Sequence, residues 1–208
     1  MKKNAADFRD SSCEDAPRAS EVGGESLFCE TCDRTCERFA GAALRGAAEI
    51  FAVGSRPVTR RLAKEFGADD TVDYHDAPFT QQLMELTGGK QFDCVIIAGG
   101  EPTVFNDALS ICKYNGTVAN LAGHGRTQTL LPIYTNESLT FCAHKTVTGG
   151  LCPGGRRRLE RLMGICKSGR LQPEKLITQE FRGFDAIEDA FDLMASKSRE
   201  LVKPIIYV

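Results

Sequence analysis

A chain of 208 residues with a formal net charge of −2 has no basic excess with which to hold nucleic acid or an anionic membrane. Its 42% hydrophobic and 26% charged residues are those of a soluble globular protein. No apolar run approaches the roughly 20 residues of a membrane span, and the start MKKNAADFRDSS lacks the apolar core of a secretory signal. Nine cysteines are many, but Cys13, Cys94, Cys112, Cys142, Cys152 and Cys166 are scattered, several within apolar runs, which points to free thiols in a reducing cytoplasm.

Residues 1–39 read unlike the rest. Asp, Glu, Arg, Ser and Gly dominate 8–26 with neither a strand nor a helix period, so loop or disorder is expected there. The run FCETCDRTC then spaces Cys29, Cys32 and Cys36 like part of a zinc or iron–sulfur site, although zinc takes four ligands and the nearest histidine is His75. From Phe39 the pattern is orderly. FAGAALRGA reads as the end of a helix with small residues for close packing on a sheet, and Ile50 to Val53 form a short apolar strand that breaks at Gly54. A helix follows with Pro57 at its first position and Val58, Leu62 and Phe66 on one face. Gly67 ends it, and a strand covers 71–74.

Next come a helix over 79–86 presenting Phe79, Leu83 and Leu86, and FDCVIIA (92–98), an apolar run suited to a central parallel strand. A helix over 102–113 shows Phe105, Leu109 and Cys112 and stops at Asn115-Gly116. Strands are expected over 117–122 and 141–148, and a glycine-rich loop leads into a helix from about Arg156. Strands alternating with helices mean an α/β fold with a parallel sheet and right-handed crossovers. The expected architecture is a Rossmann-type parallel sheet with its first βα unit missing or damaged. A strand-helix-strand tail follows it: 176–181, a helix over 184–195 with Ile187, Ala190, Phe191 and Met194 on its apolar face, and 203–208.

In such a sheet the end of the second strand reads the adenosine ribose. An acid there accepts the 2′-hydroxyl of NAD, whereas small residues with an arginine admit the 2′-phosphate of NADP. This chain has Gly54, Ser55 and Arg56 at that point and no carboxylate. Gly54 permits close backbone approach, Ser55 offers a hydroxyl and Arg56 a planar fork matched to phosphate, which reads as an NADP site. Taken alone, the tripeptide also fits an ordinary strand-to-helix loop with Ser55 capping and Arg56 in solvent.

GSRP at 54–57, Tyr74 twenty residues on, VIIAGG at 95–100, HKTVTGGLCPGGR at 144–156 and VKP at 202–204 together resemble the zinc-containing, NADP-dependent secondary-alcohol dehydrogenases of the medium-chain dehydrogenase/reductase superfamily. The resemblance runs from about residue 40 to 208. It implies three parts: an atypical segment 1–39, disordered or frame-slipped; an NADP-binding Rossmann domain 40–170; and a segment 171–208 that completes the catalytic domain. It also implies hydride transfer between a secondary alcohol and NADP, with zinc polarising the substrate oxygen, in a cytoplasmic homotetramer.

Intact members of that family are longer, so the resemblance implies a truncated chain that lacks most of the zinc-holding domain and whose activity alone is in question. The family's zinc is held by a cysteine, a histidine and an aspartate. Only Asp7 falls where a count back places one of them, so zinc is not expected on this chain. Cofactor contacts carried over by position are Gly54, Ser55, Arg56, Tyr74 beside the adenine, Leu121, Ala122 and Gly123 toward the nicotinamide, and Lys197. At Ala122 and Gly123 the family has an asparagine and an aromatic instead. His144 and the GGLCPGG loop match subunit-packing positions, and His124 and Arg156 to Arg158 read as surface residues.

The family's first strand and glycine-rich turn would fall at 29–36. Codons for Asp33-Arg34-Thr35-Cys36 read one base later can spell Ile-Gly-Pro-Val, so a frame-slipped reading is expected there. Beside the dehydrogenase stand two other readings: a non-catalytic NADP-binding or oligomer-joining remnant, and a metal-binding regulator built on the cysteine cluster.

Overall fold

The computed structural model describes residues 26–30, 36–123, 144–150, 154–196 and 198–208, with the side chains of 26–30, 36 and 37 excepted. Its main sheet has six strands: β1 (Ser26–Glu30), β2 (Glu49–Val53), β3 (Asp70–Val72), β4 (Phe92–Ile97), β5 (Cys112–Asn120) and β6 (Thr146–Gly149). They are all parallel, in the order β3-β2-β1-β4-β5-β6. Five helices accompany them: α1 (Cys36–Leu44), α2 (Pro57–Glu65), α3 (Phe79–Leu86), α4 (Val104–Ile111) and α5 (Gly155–Lys167). The chain then forms a smaller parallel pair, β7 (Ile177–Arg182) and β8 (Lys203–Tyr207), joined through α6 (Ile187–Ala195).

Alternation along the inner strands splits the core between the two faces of the sheet. Ile50 and Ala52 pack with Phe39, Val58, Leu62 and Phe66 from α1, α2 and the α2 end. Phe51 and Val53 pack on the other face with Leu83, Phe105 and Leu109 from α3 and α4. A strand covered on both faces favours apolar residues at nearly every position, which is why Ile50 to Val53 of β2 read as a continuous hydrophobic run and β4 as one broken only by Asp93. Leu176, only 2% exposed, joins the α1–α2 face and ties the C-terminal tail to the sheet.

Several expectations are refined. β1 pairs on both sides, with β2 and with β4, so the first βα unit is not missing. Its strand and helix are present, and the glycine-free segment 31–35 between them lies outside the described residues. α4 stops at Ile111 and β5 already begins at Cys112, earlier than the sequence suggests. Cys112 pairs with Phe92 while Thr117 pairs with Cys94, so 113–116 bulge from the ladder, with Asn115 at φ 61°. The physical reason is burial: Cys112 is fully buried, and Lys113 forms an ion pair with Asp93 of β4. Leu86 is not on the buried face of α3; it is 46% exposed, whereas Phe79 and Leu83 are buried.

Candidate cofactor-binding site

Parallel strands present all their carboxyl ends along one edge, where α/β folds bind ligands. Here the register aligns Glu30 with Val53 and Ile97, Ile97 with Asn120, and Asn120 with Gly149. The residues just past those positions form the candidate site.

At the β2 end, Gly54 is buried and its amide donates to the Val72 carbonyl of β3 at 3.0 Å, which closes the strand end. Arg56 precedes Pro57 and is extended (φ −88°, ψ 127°), as a residue before proline prefers. Pro57 opens α2, whose first turn holds no acid, so the positive end of the helix dipole faces this edge unneutralised by a side chain. The Thr59 hydroxyl donates to the Arg56 carbonyl at 2.9 Å and pins the turn.

The side chains gather around that turn. The Ser55 hydroxyl donates to the Tyr74 phenol oxygen at 2.9 Å, leaving the phenol proton to be directed outward. Tyr74 is 46% exposed, and its ring lies 4.5 Å from the His75 ring, tilted by 40°. The Arg56 guanidinium donates through Nη1 to the Leu201 carbonyl at 2.6 Å, across 145 positions of sequence. The nearest acid in sequence to Tyr74, Asp73, accepts from the His75 amide at 2.9 Å and faces Arg60 at 3.5 Å. Burial would raise the Asp73 carboxyl, but the amide and ring of His75 together with Arg60 outweigh it and hold it below its ordinary value. A hydroxyl pair and a guanidinium at a helix start suit a phosphate ester, so the donor set fits a 2′-phosphorylated coenzyme.

The nicotinamide-side candidates lie farther along the same edge. Leu121 donates its amide to Ile97 at 2.8 Å, and Ala122 donates its amide to the Asn120 side chain at 3.1 Å. Ala122 leans on the core, whereas Leu121 and Gly123 are exposed. Asn120 is a residue that sequence reasoning passed over; its side chain shapes this loop.

Arg199 was passed over too. Its Nη2 donates to the Ser55 carbonyl at 3.0 Å, and the signal for it was a basic residue two positions beyond Lys197. A cleft of about 430 Å³, lined by residues including Ala40, Phe66, Gly67 and Lys175, lies at the opposite, amino edge and contains none of these groups.

Other expectations stand apart from this edge. Asp7, Cys32, His124 and Lys197 lie outside the described residues, as do the side chains of Cys29 and Cys36. Among the described residues no group of three or more His, Cys, Asp or Glu could hold a metal ion. The described residues therefore do not fit a zinc site. His144 is exposed with φ 58°, and its carbonyl accepts from the Asn115 amide at 2.8 Å, a turn role. Arg156 pairs with Glu160 one turn along α5 at 2.7 Å, on a wholly exposed stretch of helix. No described helix is long and apolar enough to cross a membrane.

Comparison with known proteins bears on the family and the fold. Over 167 residues the chain is 50% identical to the NADP-dependent isopropanol dehydrogenase of Thermoanaerobacter brockii, covering 80% of this chain and 47% of that protein. It is 43% identical to the NADP-dependent isopropanol dehydrogenase of Clostridium beijerinckii, with the same coverage of each. The alcohol dehydrogenase TADH from Thermus sp. ATN1 superposes with a TM-score of 0.75 at 19% identity, covering 89% of this chain and 51% of that one. L-idonate 5-dehydrogenase from Escherichia coli gives 0.73 at 20% identity, covering 92% and 53%. At such identities the two structures speak to the fold alone. The chain spans about half the length of the curated relatives it matches. The zinc-binding dehydrogenase model matches residues 39–168, more than half of the chain, and with this match and this fold the chain belongs to that family.

Proposed function

We propose that the chain binds NADP along the carboxyl edge of its six-stranded sheet and serves an NADP-dependent dehydrogenase that interconverts secondary alcohols and ketones. What supports this reading above all is the turn of Gly54, Ser55 and Arg56 with Tyr74 hydrogen-bonded across it. Ser55 and Arg56 hold the 2′-phosphate, and the Tyr74 ring lies beside the adenine. The loop of Leu121, Ala122 and Gly123 borders the nicotinamide end, and Lys197 is a further cofactor contact. Bound NADP supplies the hydride acceptor, and the residues described here hold and orient it.

The isopropanol dehydrogenases named above are the relatives from which the alcohol class is taken. The free thiols Cys112 and Cys166 are consistent with a cytoplasmic, reducing location. The exposed Leu159 and Met163 on α5 and Phe191 and Met194 on α6 are faces that a homotetramer or a zinc-bearing catalytic domain would cover. The three-part division, with its breaks near residues 39 and 170, belongs to the same proposal.

Fluorescence titration tests the cofactor reading. NADPH should bind much more tightly than NADH. Arg56→Ala should weaken NADPH by about tenfold or more, the value of a charged hydrogen bond, and leave NADH unchanged. Equal affinity for both coenzymes in the unaltered chain would refute it. A 2-propanol assay on the same protein then distinguishes an enzyme from a cofactor-binding module.

A further inference from the structure

We propose that Arg199 is a second specificity-determining cation for the 2′-phosphate, so that the phosphate is read jointly by the β2–α2 turn and the C-terminal segment. The proposal rests on the NADP reading above and adds a residue to it.

The observation is a reciprocal pair of bonds. Arg56, on the turn, donates to the Leu201 carbonyl of the tail at 2.6 Å. Arg199, on the tail, donates to the Ser55 carbonyl of the turn at 3.0 Å. The two guanidiniums are thereby brought to one turn from segments separated by more than 140 positions. Leu201 is 8% exposed, so the tail is anchored in the core while Arg199 itself is exposed.

A phosphate monoester carries about −1.5 to −2 charge at neutral pH, comparable to two guanidiniums. The Ser55 carbonyl that holds Arg199 belongs to the residue whose hydroxyl contacts Tyr74, so Arg199 is held at the phosphate position. A coenzyme without that phosphate gains nothing from Arg199, which makes the residue a source of selectivity.

The alternative is that Arg199 only pins the tail. Adenosine 2′,5′-bisphosphate and adenosine 5′-diphosphate distinguish the two roles, because only the first carries the 2′-phosphate. Calorimetric titration of the full chain, the unaltered protein beside Arg199→Gln and Arg199→Lys, should show the glutamine variant losing about tenfold or more in affinity for the bisphosphate. Its affinity for the diphosphate should be unchanged, and lysine should restore most of the loss.

Equal losses for both nucleotides, or no loss for the bisphosphate, would overturn the role of Arg199 while leaving the NADP reading intact. Failure of the unaltered chain to prefer the bisphosphate would overturn both. Should the glutamine variant not fold, Arg199→Met decides by the same readings: a loss confined to the bisphosphate supports the proposal, and equal losses for both nucleotides or none for the bisphosphate refute it.

Discussion

Gly67 stands at φ 104° after α2, and a β-carbon built there meets the Ala43 β-carbon at 2.9 Å. Two costs therefore coincide, left-handed backbone and overlap with a helix packed in the core. Gly67→Ala should lower the unfolding free energy by about 2–4 kcal/mol. Gly88, at φ 63° with open space around it, should lose only about 1 kcal/mol on the same change. Urea unfolding of the two variants measures the difference.

Two aspartates make opposite pH predictions. Burial raises the Asp107 carboxyl, so its charge costs stability near neutrality and the cost disappears as pH falls below the ordinary carboxylate value of about 4. For Asp73, burial is outweighed by His75 and Arg60 and the folded value is lowered. Its contribution is complete above the unfolded value and is lost as pH falls through the folded one. Asp107→Asn should raise the urea midpoint near neutral pH, Asp73→Asn should lower it there, and both differences should vanish in strong acid.

At this scale the turn Gly54-Ser55-Arg56 and Tyr74 stand out in the sequence because each carries distinctive chemistry at a strand end, and the structure joins Ser55 to Tyr74 by a hydrogen bond. Arg199 does not stand out, since its meaning depends on a contact with Ser55 across 144 positions, which no local pattern encodes.

At the scale of elements, helices with an unbroken period were legible. α2 shows Val58, Leu62 and Phe66 buried as their spacing requires. α3 shows where period alone misleads. Leu83 is fully buried while Leu86, a turn later near the glycine pair that ends the helix, is 46% exposed. Leu83→Ala should cost about 2–5 kcal/mol, and Leu86→Ala less than about 0.5 kcal/mol, as read by denaturant unfolding. The α4–β5 junction escaped local reading because Cys112 is apolar enough to continue a helix. Its extended conformation comes from pairing with Phe92 across the sheet. β1 escaped for a similar reason: five residues inside a polar segment carry little period of their own, and their placement comes from ladders on both sides.

For the whole molecule, alternation of strands and helices made the parallel α/β sheet legible, whereas the central place of β1 is read from the structure. The docking of the tail was less legible. Leu176 and Leu201 look like ordinary apolar residues until they are found buried at 2% and 8% exposure, with Arg56 and Arg199 bridging above them. That docking brings the C-terminal segment to the β2–α2 turn at the carboxyl edge of the sheet, so the candidate site depends on the assembled fold more than on any one motif.

The most direct test is a crystal structure of the chain grown with NADP. The 2′-phosphate should lie within hydrogen-bonding distance of the Ser55 hydroxyl and the Arg56 guanidinium, with the adenine against Tyr74. A coenzyme seated away from the carboxyl ends of β2 and β3, or a ribose held there by a carboxylate, would contradict it.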